Sequence, residues 1–308
     1  MKKTIDRWLL IEVPAARLAT LRILVGSYAL VFMLIRFRSF WNTADLPSRQ
    51  IEGVGILWFL NGAVSPVFAR VVFVAVLVLG IGFVIGYRFK AIGPIFALMF
   101  LVVATYRLSF GHVIHTEHLV ALHLLILGFT NSGDAISWSR SPQRFTRPRK
   151  SANYGWPIQL MILATVLTYV LAGFAKLRHG GFDWLGGDIL RNQVAYDNLR
   201  KELLGSPHSP LGGWLVGFAW LFPPAAVATT VVELGAIVAL FGSIRWRATW
   251  AAAAWVFHVG IVATMAISFP YPLSFVAYAP LFAVERLWSF APIRRISSGK
   301  IFSEGTYL

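Results

Sequence analysis

The chain has 308 residues, of which 57% are hydrophobic and only 13% charged, about half the charged fraction of an ordinary soluble domain (roughly 25%). Apolar runs of about 18–20 residues, the length that crosses a bilayer, recur from end to end, which excludes a soluble globular reading and points to one all-α, polytopic transmembrane helical bundle. The net charge of +15 is carried mostly by short segments between apolar runs; that placement fits topology signals and anionic lipid headgroups rather than nucleic acid, and the absence of cysteine removes disulfides, thiolate nucleophiles and Cys-ligated metals.

In chain order, residues 1–19 form an amphipathic lead-in at the membrane interface with Trp8 as anchor, interrupted by Glu12 and Pro14. Eight spans follow: Thr20–Ile35, Pro66–Tyr87, Ala91–Thr105, a shorter and wetter His115–Phe129, Trp156–Leu177, Phe222–Gly242 (preceded by a half-inserted piece at Leu211–Leu221), Ala248–Ile267 and Leu273–Val284. The polar, basic stretch 131–155 is the main linker, and residues 289–308 form a basic tail. With the N-terminus inside, seventeen Lys/Arg fall in inner segments against eight in outer ones; the excess of positive charge places both termini in the cytoplasm.

Ionisable residues within spans are costly and suggest function. In the fifth span Thr165, Tyr169, Ala172, Gly173 and Lys176 share one helical face, with small residues that admit a neighbouring helix. Lys176 either snorkels to the headgroups or sits in a protein pocket where desolvation favours its neutral, basic form. His112, His115 and His118 recur every three residues, with Glu117 and His123 nearby; that spacing drifts around the helix and disfavours a metal, leaving interfacial hydrogen bonding or one or two histidines lining a wet cavity. Glu233 in the sixth span, with Thr229 one turn before it, and His258 in the seventh extend the polar set toward the midplane, outlining a pocket that opens outward. Arg22 in LRILVG either snorkels or is buried in an ion pair, with Glu233 a candidate partner. There is no Walker A, HExxH or GxSxG motif.

The segment YVLAGFAKLRHGGFDWLGG (Tyr169–Gly187) resembles the Y-x-x-A-G-x-x-K-L…D-W-x-x-G pattern of the horizontally transferred transmembrane (HTTM) family, which includes the membrane part of vitamin K-dependent γ-glutamyl carboxylase. LRILVG (Leu21–Gly26), EHLVALHLLILGF (Glu117–Phe129) followed by Trp138–Ser139, and Phe257–His258 followed by FPYPLSFVAY resemble further family segments in the same order, so the resemblance covers residues 20–288. It implies a reduced quinone (menaquinol or vitamin K-like) as cofactor: a lysine free base deprotonates it, oxygen adds, and the strong base so formed removes a γ-proton from a peptide glutamate that then takes up carbon dioxide. On that resemblance Lys176 and His118 are catalytic; the matched motifs and the polar positions within spans together give Tyr169, Gly173, Asp183, Trp184, Glu233, His258 and Arg22 as pocket residues. The carboxylase's large β-rich domain has no counterpart here, which leaves a second expectation open: a non-enzymatic membrane protein that binds, transports or gives immunity to a secreted peptide or small lipophile. A bacterial plasma membrane is the expected location, with membrane lipids as partners.

Overall fold

The computed structural model describes residues 2–111, 115–138 and 150–289. These are mostly helical: α1 (Lys2–Leu9), α2 (Ala15–Ile35), α3 (Phe37–Thr43), α4 (Pro66–Ile85), α5 (Phe89–Leu108), α6 (His118–Gly128), α7 (Ala152–Leu185), α8 (Asp188–Leu203), α9 (Pro210–Leu215), α10 (Phe222–Leu234), α11 (Val238–Phe241), α12 (Ile244–Met265) and α13 (Pro270–Leu273). Two-residue strands β1 (Val13–Pro14) and β2 (Lys150–Ser151) pair antiparallel. His112, Ser139 and the basic tail expected at 289–308, apart from Ser289, lie outside the described residues.

Among the described residues six helical stretches are long and apolar enough to cross a membrane: Ala15–Ile35, Pro66–Ile85, Phe89–Leu108, Ala152–Leu185, Ala219–Phe241 and Ile244–Met265. The first starts five residues earlier than its composition suggests, directly after β1. The expected fourth span is α6, whose 11 residues extend about 16 Å at 1.5 Å per residue, against a ~30 Å hydrocarbon core. The expected eighth span is not a continuous helix. It holds the end of α13 and a 3₁₀ segment, Val276–Leu281, with Phe275 at φ 65° between them and Pro280 inside, a residue that cannot donate to a helical ladder.

The helix α4 shows why these stretches form and what they face. Ser65 caps its start by accepting from the Phe68 N–H, Pro66 occupies the first turn, and Gly86 ends it in the left-handed region. Val67, Val71, Val74, Val78, Ile81 and Ile85 form an exposed apolar face along its whole length, while Phe73, Val76 and Phe83 are buried. An apolar outer face on an apolar helix is the surface of a protein that meets lipid rather than water.

The chain divides into two compact units, Met1–Met161 with Ala283–Leu308, and Ile162–Phe282. In the first, α2, α4, α5 and α6 pack around Leu18, Leu21, Val25, Met33, Phe83, Phe96, Phe100 and Leu124, all fully or almost fully buried. Arg17 grips Glu285 with two hydrogen bonds of 2.8 and 2.6 Å, and the Trp288 indole donates to Thr20 at 2.7 Å. Both tie the segment after residue 283 to α2.

In the second unit the end of α12 is held by side chains of the polar connection. Asn198 donates to Thr264 O at 2.8 Å and accepts from Ser209 N at 2.7 Å. Ser209 Oγ donates to Ala263 O and Lys201 Nζ to Met265 O. Carbonyls that a helix terminus leaves without internal partners are thus satisfied by α8 and the start of α9.

Candidate functional site

The second unit brings together most of the residues that the sequence singles out. On α7, Tyr169, Gly173 and Lys176 recur at i, i+4 and i+7 and so share one face. Lys176 Nζ donates to Glu233 Oε1 at 2.6 Å. The side chains are unequally covered, Lys176 being 24% exposed and Glu233 only 4%, so the carboxylate is the more deeply buried member of the pair. Gly173 permits this approach: a Cβ placed on it would stand 2.9 Å from Glu233 Cβ and 3.1 Å from the Leu234 side chain.

The ammonium lies over two aromatic rings, 4.9 Å from the centroid of Trp184 and 5.4 Å from that of Phe257, within the range of cation–π attraction. Trp184 reaches this position because the helix breaks at Gly181, whose φ of 51° and ψ of −131° are open to glycine alone. Its indole N–H is fixed by Thr230 Oγ1 at 3.1 Å. Next, Gly187 (φ 86°) turns the chain into α8. Of the A-G-x-x-K…D-W-x-x-G stretch, Gly173, Lys176 and Trp184 therefore meet in three dimensions, whereas Asp183 is exposed and forms no ion pair among the described residues.

A second polar cluster lies beside the pair. Tyr169 and Tyr278 hydroxyls are 2.6 Å apart, and Tyr169 Oη is 3.5 Å from His258 Nδ1. His258 Nδ1 donates to Ala254 O at 2.8 Å, since a carbonyl can only accept. Trp250 packs edge-on against both tyrosines and donates to Val232 O at 2.9 Å. Rings of Phe257 and His258 meet at 5.1 Å, linking this cluster to the ammonium. One polar atom is left over: Glu233 Oε2 is buried and accepts no hydrogen bond from the described residues.

The other expected residues belong to the first unit. Arg22 is fully buried, its guanidinium donating to the carbonyls of Ser132, Ala135, Val84 and Ile136 and stacking over Phe89. It clamps the end of α4 to the 131–137 turn, and the ion-pair partner of Glu233 is Lys176. His118 opens α6 on an exposed side. Its neighbour Glu117 is buried and ion-paired with Arg107. His123 is fully buried against Met161 O at 3.1 Å. Among the described residues no group of three His, Asp or Glu gathers as metal ligands.

Sequence reasoning missed Thr230, Trp250 and Tyr278. Thr230, three residues before Glu233, is buried and accepts the Trp184 indole, whereas Thr229 is half-buried; both hydroxyls donate to Ala226 O. Trp250 stands at i−8 from His258 on the same stripe, so helical spacing held that signal. Tyr278 ends the aromatic-rich FPYPLSFVAY segment, but its place beside Tyr169 is fixed by tertiary packing that no spacing shows. The chain matches no family model, and comparison with curated proteins and with solved structures likewise gives no match.

Proposed function

We propose that this is a multi-pass membrane protein of the HTTM kind, crossing the bilayer eight times with both termini in the cytoplasm of a bacterial cell, which binds the head group of a small lipophile, a quinol or a peptide-linked lipophile, at Lys176 and Glu233 through a pocket opening outward. The observation that carries this reading is the Lys176–Glu233 pair itself, 2.6 Å long, with the carboxylate almost wholly buried in an apolar helical unit and flanked by the Tyr169–Tyr278–His258 cluster. Charges in such surroundings are expensive to maintain, and in a membrane protein they mark a site by default. The eight-span reading counts α6 and the broken stretch around Tyr278, neither a full-length helix, as partly non-helical crossings beside the six long helices.

The test is titration of the purified protein, in lipid nanodiscs, with menaquinol followed by tryptophan fluorescence. Saturable binding that weakens in Tyr169→Phe and His258→Ala supports the reading; no saturable binding refutes it.

A second reading, quinol- and oxygen-dependent carboxylation, is favoured by one observation: the Lys176 amine is hydrogen-bonded to a carboxylate able to hold its proton, which would leave the amine as a base. A reduced quinone would supply the reducing chemistry. Lys176 and Glu233 would hold its head group, and Trp184 and Phe257 would shield the amine from water. Under this reading Lys176→Ala abolishes turnover while the protein stays folded.

A further inference from the structure

A lysine in a membrane pocket invites an anionic ligand, yet the open hydrogen-bonding position of this pair is on the carboxylate. The Lys176 ammonium is engaged by Glu233 Oε1 and lies over the rings of Trp184 and Phe257. Glu233 Oε2, on a side chain only 4% exposed, accepts nothing from the described residues. A buried carboxylate oxygen is an acceptor only, and leaving it without a donor is costly in an apolar setting. An anionic head group placed there would meet like charge, and a ketone or ether oxygen would set acceptor against acceptor.

We infer that the site selects a neutral head group that donates a hydrogen bond, a hydroxyl or amide N–H, and that Glu233 Oε2 is the atom that reads it, with Lys176 acting as the positioning residue that holds and neutralises the carboxylate. This rests on the proposal that a lipophile binds here, and it adds the property by which one is chosen. Donor-bearing and donor-capped forms of the same ring system are distinguished at Glu233. The substitution Glu233→Gln inverts the pattern, because an amide whose oxygen keeps the Lys176 bond presents N–H where Oε2 stood.

The experiment uses the full-length protein in lipid nanodiscs under anaerobic conditions, titrated calorimetrically with 2-methyl-1,4-naphthohydroquinone and, separately, with its 1,4-dimethyl ether, in which both donors are capped. The wild type is expected to favour the free hydroquinone by about tenfold or more, and Glu233→Gln to level or reverse that ratio. Equal affinities in the wild type, or an unchanged preference in Glu233→Gln, overturn the inference while leaving a lipophile site in place. Failure of both probes to bind overturns the underlying reading and the inference with it. Should Glu233→Gln not fold, the wild-type ratio alone decides.

Discussion

Trp184 lies with its ring centroid 4.9 Å from Nζ of Lys176, although the two residues stand on opposite sides of a helix break. The break at Gly181 folds the following turn back over the lysine, and Thr230 on α10 fixes the indole there. A local backbone feature and a tertiary hydrogen bond together place an aromatic face on a charge that the apolar unit would otherwise leave poorly covered.

The ion pair should respond asymmetrically to truncation. Lys176→Ala strands a carboxylate that is almost wholly buried, at a cost of about 3–5 kcal/mol. Glu233→Ala leaves an ammonium that is partly exposed and able to extend toward water, so it costs less. The double substitution should recover part of the Lys176→Ala loss. Thermal unfolding of the four proteins in one detergent measures this, and equal losses in the two single variants contradict it.

The two positive-φ glycines flanking Trp184 differ in kind. At Gly181 an added Cβ meets nothing within 4 Å, so Gly181→Ala carries only the backbone penalty, about 1–3 kcal/mol. At Gly187 the Cβ would also collide with the backbone of Phe222 and Pro223, so Gly187→Ala should be the more destabilising. The order of their melting temperatures is the readout.

Close approach of α7 to α10 depends on Gly173. Gly173→Ala should cost about 1–3 kcal/mol through overpacking against Glu233 and Leu234, and Gly173→Leu should prevent assembly of the unit, seen as loss of monodisperse protein on size-exclusion chromatography.

In the first unit, Arg22→Lys should fail to rescue Arg22→Ala. Carbonyls from four residues converge on the guanidinium, and an ammonium cannot reproduce that planar fork. Both variants should lose about 3 kcal/mol or more, read as thermal stability.

The proposed orientation is testable because the chain has no cysteine. Single cysteines at Arg88 and Arg245 should resist a membrane-impermeant maleimide added to whole cells, while one at Gly205 should react.

How far the sequence reveals these features depends on the kind of interaction. The bounds of α4 were legible because a long apolar run, broken only by Arg70 in its first turns, sits between Pro66 and Gly86. The site face of α7 was legible because Tyr169, Gly173 and Lys176 obey the helical period. Arg22 stood out as a charge within a span, but whether it snorkelled or was buried, and its partners, did not, since backbone carbonyls leave no mark in a residue pattern. The region around Tyr278 resembled a span in composition, yet three prolines and a positive-φ Phe275 break it into turns. Tyr278 joins Tyr169 only through that irregular path, which no periodicity describes.

The central claim is that the Lys176–Glu233 pair holds the head group of a membrane lipophile. Its most direct test is mass spectrometry of lipids that co-purify in mild detergent with the wild type and with a folded Glu233→Leu variant. A quinol-class or other donor-bearing lipophile retained near one per chain by the wild type, and lost from the variant, is the predicted result. Identical lipid profiles for the two proteins would contradict the account.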